Sequence, residues 1–395
     1  MNSGSLSTLF SPRTIALVGA SRKPGRIGYE ILRNLRADFR GKVYPINPGV
    51  EEVQGLRAYK SISEVPEPLD LVVFAVTPRD TLKAFMIAVE KRVGAAIIVS
   101  GGFKELGGEG EEIEGKIRRI ARESGVRVIG PNCIGVLVPR HGVDTFFQSR
   151  GRMDRPRHGQ LAILSQSGTY AATMTEWAVR SHIGVSKVVS YGNRVDVDEA
   201  DLIEFLADDP DTAVIALYVE GVEEGRKLYE EVKKTSFKKP VIVYKGGKSG
   251  GAETAILHTG WLAGDYPVFH FAMRQAGAIE VENTYGLIDA AKALIMIGPI
   301  ERGGVVSVTN GAGPVVVGYD LLERYGLHTS TLSEQTTAFL KEMLPSYCQV
   351  SNPVDLTGSA DSGFFDTALG ALTEDINIDL IFAFLVLQDT PLDEG

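Results

Sequence analysis

Short apolar runs that alternate with helical stretches constrain this chain more than any other feature. Thr14-Ile15-Ala16-Leu17-Val18 ends in Gly19, and a helical pattern over 29–35 follows. Further strand-like runs fall at 42–46, 69–76, 95–99 and 126–129, with helical stretches at 81–91 and 113–123 between them. The run over 69–76 has almost no polar residue, as expected of a strand buried on both faces. Such alternation predicts a parallel sheet with right-handed crossovers.

The pattern then restarts twice. A second alternation begins at Gln160-Leu161-Ala162-Ile163-Leu164, with strands predicted at 187–190, 212–219 and 240–244 and helices at 170–181, 200–207, 226–235 and 285–297. The polar, basic stretch 149–159 reads as a linker before it. A third alternation begins at Gly304-Val305-Val306-Ser307-Val308, with helices at 314–325 and 333–344 and a strand at 380–387. That is about two β-α units, fewer than a doubly wound domain usually needs. The expectation is an α/β chain of three parts: a Rossmann-like domain over 1–148, a flavodoxin-like parallel-sheet domain over 149–300, and a second, partial flavodoxin-like domain over 301–395.

Composition narrows the function classes. With 395 residues the chain can bury two or three cores. Its 44% hydrophobic and 23% charged content fits a soluble globular protein. A formal net charge of -9 gives no support to nucleic-acid binding. The first residues, Met1-Asn2-Ser3-Gly4-Ser5, lack the apolar run of a signal peptide, and no stretch of about 18 apolar residues suggests a membrane span. Cys133 and Cys348 lie far apart and read as reduced thiols, which points to the cytoplasm.

The loops after the strands carry the chemistry. Gly19-Ala20-Ser21-Arg22-Lys23-Pro24-Gly25-Arg26-Ile27-Gly28 joins the first strand to the first helix. Glycines there let backbone approach a pyrophosphate at a helix N-terminus. The spacing is not the dinucleotide G-x-G-x-x-G, and no acid follows about 20 residues on to bind a ribose diol. Instead the second strand runs into Asn47-Pro48, and Arg22, Lys23 and Arg26 suit a ligand with extra phosphate. The loop therefore reads as a nucleotide-like site and poorly as an NAD site. Ligands of open parallel sheets bind beyond the carboxyl ends of the strands. Those ends read Val76-Thr77-Pro78, Ser100-Gly101-Gly102-Phe103 and Gly130-Pro131-Asn132-Cys133-Ile134-Gly135. Nothing near Cys133 in sequence would lower its pKa, so it reads as packing beside the ligand.

Two further strand ends open helices: Ser165-Gln166-Ser167-Gly168-Thr169 and Thr309-Asn310-Gly311-Ala312-Gly313-Pro314. Hydroxyls, glycines and the positive end of a helix dipole make both ready for an anion. The serines lack the G-x-S-x-G frame of a hydrolase elbow. One histidine, His258, sits in Ala255-Ile256-Leu257-His258-Thr259-Gly260-Trp261-Leu262-Ala263-Gly264, after the glycine-rich Lys245-Gly246-Gly247-Lys248-Ser249-Gly250-Gly251. Imidazole is a competent nucleophile toward an activated phosphoryl group, and a glycine-flanked loop could carry it between sites. Glu220 ends a strand of the same domain, where a carboxylate could orient the imidazole.

Taken in order, these motifs resemble the α subunit of the ADP-forming acyl-CoA synthetases of the acetate–CoA ligase type, in the succinyl-CoA synthetase superfamily. The resemblance rests on Val18-Gly19-Ala20-Ser21, Val43-Tyr44-Pro45-Ile46-Asn47-Pro48, Gly130-Pro131-Asn132-Cys133-Ile134-Gly135, Ser165-Gln166-Ser167-Gly168, His258-Thr259-Gly260 with Leu262-Ala263-Gly264, Thr309-Asn310-Gly311-Ala312-Gly313-Pro314 and Asn352-Pro353-Val354-Asp355-Leu356. It implies coenzyme A or acyl-CoA in the first domain, at Gly19, Ala20, Ser21, Arg22, Arg26, Asn47, Pro48, Val76, Thr77, Pro78, Ser100, Gly101, Gly102, Asn132 and Cys133. It implies phosphorylation of His258 with Glu220 beside it. The phosphate would be held by Ser165, Gln166, Ser167 and Gly168, and by Asn310, Gly311, Ala312 and Gly313. Acyl-CoA and phosphate would give an acyl phosphate, then a phosphohistidine, then ATP from ADP, reversibly. No Walker-type loop or ATP-grasp pattern occurs in the sequence. ADP or ATP and Mg²⁺ would then bind a separate ATP-grasp β subunit, in a heterotetramer of two α and two β chains, with no metal held by this chain. The competing readings are a CoA-binding module of a protein acetyltransferase, a CoA-sensing regulator and a redox Rossmann protein.

Overall fold

Three larger sheets, beside a two-stranded hairpin of Glu52–Val53 and Leu56–Arg57, organise the described residues, 6–248, 265–298, 300 and 303–388, of the computed structural model. The first contains β1 (Thr14–Val18), β2 (Lys42–Ile46), β3 (Leu71–Phe74), β4 (Ala95–Ile98) and β5 (Arg127–Ile129), all parallel, in the order β2-β1-β3-β4-β5. Every residue of β1, β3 and β4 is buried, which is why these strands read as unbroken apolar runs rather than alternating ones. Helices α1 (Ile27–Asp38), α2 (Pro78–Glu90) and α3 (Glu109–Ser124) connect them. The strand order reverses between β1 and β3, so a crevice opens there at the carboxyl ends of the strands.

The second sheet holds β6 (Gly135–Val138), β7 (Val143–Asp144), β8 (His158–Ser165), β9 (Val185–Ser190), β10 (Val214–Val219), β11 (Val241–Lys245) and β12 (Ile279–Glu280), in the order β12-β11-β10-β8-β9-β6-β7. Helices α4 (Gly168–Arg180), α5 (Glu199–Ala207), α6 (Gly225–Ser236), α7 (Tyr266–Gln275) and α8 (Thr284–Met296) belong to it. Five strands are parallel, but β6 runs antiparallel to β9 and β7 antiparallel to β6.

This hairpin corrects the expected division at 148. By hydrogen bonding the chain enters the second sheet at Gly135, and β6 covers an edge of β9 that would otherwise be open to pairing. The expected linker at 149–159 is likewise shortened, because β8 begins at His158. The first two sheets form one compact unit, 1–296, and share one apolar cluster that includes Ile15, Leu35, Val138, Leu164 and Leu217. Asn34 of α1 is fully buried and donates from Nδ2 to the carbonyls of Phe146 (2.7 Å) and Gln148 (3.0 Å), tying the crossing segment to the first helix.

The second compact unit, 297–395, contains β13 (Gly304–Thr309), α9 (Ala312–Arg324), β14 (His328–Thr329), α10 (Glu334–Met343), β15 (Gln349–Val350), β16 (Val354–Asp355), α11 (Ser362–Thr373) and β17 (Leu380–Phe384). Central β13 pairs in parallel with β14, β16 and β17, and β15 pairs antiparallel with β16. Asn352 organises this unit. Its Nδ2 donates to the carbonyls of Val305 and Ser330, both at 2.7 Å. Its Oδ1 accepts from Ser307 N at 3.1 Å and from the Tyr319 hydroxyl at 2.6 Å.

Candidate functional site

At the carboxyl edge of the first sheet the backbone is drawn in tightly. Gly19 has φ +90, and a Cβ on it would stand 2.5 Å from the carbonyl oxygen of Ala75. A Cβ on Gly28 would stand 2.0 Å from the Gly19 carbonyl oxygen. The start of α1 is therefore folded against the end of β1 in a way that only glycines permit. Asn47 closes the neighbouring strand end: its Nδ2 donates to the Ala20 carbonyl at 2.8 Å, and its Oδ1 accepts from Gly49 N at 2.9 Å. Ser21 Oγ accepts from Lys23 N at 3.1 Å. Arg22, Lys23 and Arg26 stand exposed along this loop.

The other strand ends lie beside it in sheet order. Thr77 caps α2 and donates its hydroxyl to the Asp80 carboxylate at 2.8 Å, with Pro78 at the first helical position. After β4, Gly102 N and Phe103 N donate to Glu105 Oε1 at 2.5 and 3.2 Å. After β5, Asn132 adopts φ 57 and donates its N–H to the Ser100 carbonyl at 2.9 Å. Thus the loops containing Gly19, Ala20, Ser21, Asn47, Pro48, Val76, Thr77, Pro78, Ser100, Gly101, Gly102 and Asn132 gather along one edge.

Cys133 packs into the core. Its thiol is buried under β4, 3.4 Å from the Ile98 carbonyl, and burial pushes its pKa up to about 12. Cys348 is also buried, and burial raises its thiol pKa too. Neither thiol presents a thiolate at neutral pH. A disulfide-exchange reagent at pH 8 should titrate neither thiol within minutes in the folded chain and both cysteines in denaturant. Rapid reaction of Cys133 in the native state would contradict this burial.

The second anion-ready end is built around Gln166. Ser165 Oγ donates to the Ser167 carbonyl at 2.7 Å, and Ser167 Oγ caps α4 by accepting from Tyr170 N at 3.3 Å. Gln166 is buried, and its Oε1 accepts from Glu220 N (2.8 Å) and Gly221 N (3.1 Å). Two backbone donors fix which end of the amide is oxygen. Its Nε2 therefore points a donor into a buried position where it has no partner among the described residues. An unmet buried donor costs about 1–3 kcal/mol, so a donor at this position suits an anion at the start of α4. Glu220 thus stands one hydrogen bond from the start of α4.

At the third strand end, Thr309 Oγ1 donates to the Gly311 carbonyl at 2.8 Å, matching Ser165. Asn310 is committed to structure: its Nδ2 donates to Val386 O (3.0 Å) and its Oδ1 accepts from Val386 N (2.8 Å). Gly311 N is taken as well, donating to Thr309 Oγ1 at 2.9 Å, which leaves the backbone of Ala312 and Gly313, at the start of α9, as the anion-ready part of this loop.

Several site-building residues had no signal in the sequence. Asn193, in the loop after β9, donates from Nδ2 to Glu105 Oε2 (2.7 Å) and to Glu114 Oε2 (2.9 Å), stitching the first sheet to the second. Arg194 is buried, pairs with buried Glu199 at 3.0 Å and donates to the Gly221 carbonyl at 2.8 Å. Lys245, only 2% exposed, donates to the carbonyls of Glu220 and Gly246, both at 2.5 Å. His258 lies outside the described residues. Among the described residues no cluster of three His, Cys, Asp or Glu side chains could hold a metal ion, and no helix is long and apolar enough to cross a membrane.

With this geometry in hand, comparison with known proteins gives the class. Residues 13–139 match the family described as CoA binding domain, and residues 158–294 match the succinyl-CoA ligase-like flavodoxin domain. The chain is 37% identical to the α subunit of ADP-forming acetate–CoA ligase II of Pyrococcus furiosus, over 97% of this chain and 82% of that one. It is 38% identical to ADP-forming acetate–CoA ligase I of Archaeoglobus fulgidus, where the match covers 96% of this chain but 55% of the longer relative. The structure superposes with a TM-score of 0.91 on the dinucleotide-forming acetyl-coenzyme A synthetase 1 of Ca. Korarchaeum cryptofilum in complex with phosphate and ADP, at 34% identity, covering 97% of this chain and 82% of that one. The chain belongs to the ADP-forming acetate–CoA ligase family and corresponds to its α subunits.

Proposed function

We propose that this chain is the α subunit of an ADP-forming acyl-CoA synthetase and works with a separate nucleotide-binding β subunit. The observation that carries the reading is the Gln166 bridge, which joins a phosphate-ready helix start to a strand-end carboxylate, Glu220. The first-sheet crevice takes coenzyme A, with Gly19, Ala20 and Ser21 close to its phosphates and Arg22 and Arg26 as counter-charges. A phosphate oxygen attacks the acyl-CoA carbonyl, the carbon–sulfur bond breaks and the CoA thiol leaves. The product is an acyl phosphate. His258 then attacks phosphorus, the bond from phosphorus to the acyl oxygen breaks, and the carboxylate leaves. Glu220 orients the imidazole by accepting its second ring N–H and stabilises the charge that develops. The start of α4, with Ser165, Gln166, Ser167 and Gly168, holds the phosphoryl oxygens, and the start of α9, with Ala312 and Gly313, is a separate phosphate-ready end in the second unit. Mg²⁺ and ADP belong to the β subunit, which is of ATP-grasp type in a heterotetramer, in the cytoplasm.

Reconstitution tests this reading. The chain supplied with acetyl-CoA and labelled inorganic phosphate should retain base-stable, acid-labile label. ATP should form from ADP only when the β subunit is added. Absence of label would favour a CoA-binding regulator without synthetase activity. Robust ATP formation by the chain alone would remove the need for the partner.

A further inference from the structure

The backbone of Glu220 is clamped on both sides. Gln166 Oε1 takes its N–H, and Lys245 Nζ donates to its carbonyl. The carboxylate is held as well: the Tyr218 hydroxyl donates to Glu220 Oε1 at 3.1 Å. Tyr218 precedes Glu220 by two positions at the end of β10, so both side chains leave the strand on the same face. Its ring has no freedom to turn away. It stacks on Tyr170 with centroids 3.8 Å apart and an interplanar angle of 18°, and Tyr244 tilts against it at 5.6 Å. Tyr170 is itself anchored by a hydrogen bond between its hydroxyl and that of Thr284. Burial first, and the Glu220 charge second, push the Tyr218 hydroxyl well above its ordinary pKa, so it keeps its proton and remains a donor. Among the described residues, Glu220 Oε2 takes no hydrogen bond.

Gly246 keeps this arrangement open. A Cβ there would stand 2.7 Å from the Tyr218 hydroxyl oxygen and 3.4 Å from Glu220 Cγ. A rigid ring offers little room to give, so a methyl group at 246 would displace the hydroxyl from the carboxylate.

We propose that Tyr218 is a positioning residue for the phosphoryl transfer: it occupies Oε1 of Glu220 and so aims Oε2 at the incoming imidazole. This rests on the reading of Glu220 as the carboxylate that orients the histidine. A carboxylate anchored by one oxygen loses its freedom to rotate, and its other oxygen meets the ring N–H in one geometry. As phosphorus leaves the acyl oxygen and bonds to the ring nitrogen, the ring gains positive charge that a fixed carboxylate offsets. Misplacement by about 1 Å at such a site costs on the order of 100-fold in rate.

The test measures single-turnover phosphorylation of the full-length chain by acetyl-CoA and phosphate. Tyr218→Phe keeps the aromatic stack and removes only the hydroxyl. It should slow labelling by about 10-fold to 100-fold, with KM for phosphate and urea midpoint unchanged. Gly246→Ala keeps both side chains and should slow labelling in the same direction. In the double variant with Glu220→Gln, Tyr218→Phe should add little to the loss from Glu220→Gln alone. The proposal is overturned if Tyr218→Phe labels at the wild-type rate while Glu220→Gln is slow, if its loss lies in KM alone, or if the two losses multiply. A Glu220→Gln variant that labels normally would instead overturn the reading of Glu220 on which the proposal stands.

Discussion

Substituting His258 by asparagine should abolish covalent labelling by acetyl-CoA and phosphate, with a fall of at least about 1000-fold, since an amide nitrogen is not a nucleophile toward phosphorus. Acyl phosphate release should persist, because it needs only phosphate and the CoA crevice. The structure supplies the ends of the segment that bears this histidine. Gly246 N donates to the Val219 carbonyl at 2.9 Å, so the chain leaves β11 directly beside Glu220. It returns to the same sheet at α7, which begins at Tyr266. Label retained by His258→Asn at the wild-type level would require another acceptor. Partial loss would not suffice for the assignment.

Substituting Asn352 by alanine should destabilise the second compact unit by about 3 kcal/mol or more, the sum of several hydrogen bonds at ~1 kcal/mol each plus the penalty for polar groups left unmet. The change strips partners from the carbonyls of Val305 and Ser330 and from Ser307 N in one step. Asn352→Asp should be no better. A carboxylate has the right shape but cannot donate to two carbonyls, and it would face their lone pairs. Hydrogen exchange distinguishes this from a general loss of stability. Amides of β13, Gly304–Thr309, should lose protection, while those of β8, His158–Ser165, keep theirs. Equal loss in both strands, or none in either, would refute the assignment of Asn352 as the local organiser.

The legible parts of this chain were those with an extended local pattern. Buried parallel strands such as β3 and β4 carry uninterrupted apolar runs, and the glycines after β1 mark a close backbone approach, so the sheets and the first crevice could be read directly. The hairpin of β6 and β7 could not. Its strands have four and two residues, too few to show any alternation, and its pairing partner β9 lies about 50 residues further along. Asn310 read as part of an anion-ready loop and Asn352 as part of a motif beside proline; the hydrogen bonds they make are long-range, which leaves no local trace. Asn193 and Tyr218 were hidden for the same reason. One looks like a loop residue and the other like an ordinary strand aromatic until the sheets are assembled.

The crossing at Gly135 has a practical consequence for building chimaeras within the family. An exchange made at the apparent linker, near 149, would carry a foreign hairpin into the host's second sheet and pair it against a native β9. An exchange made just before Gly135 would leave the hairpin with its own sheet, yet would still separate Asn193 from Glu105 and Glu114. Shuffled CoA modules should therefore be chosen as a pair of compatible surfaces, with the acids at 105 and 114 and the amide at 193 inherited from one parent.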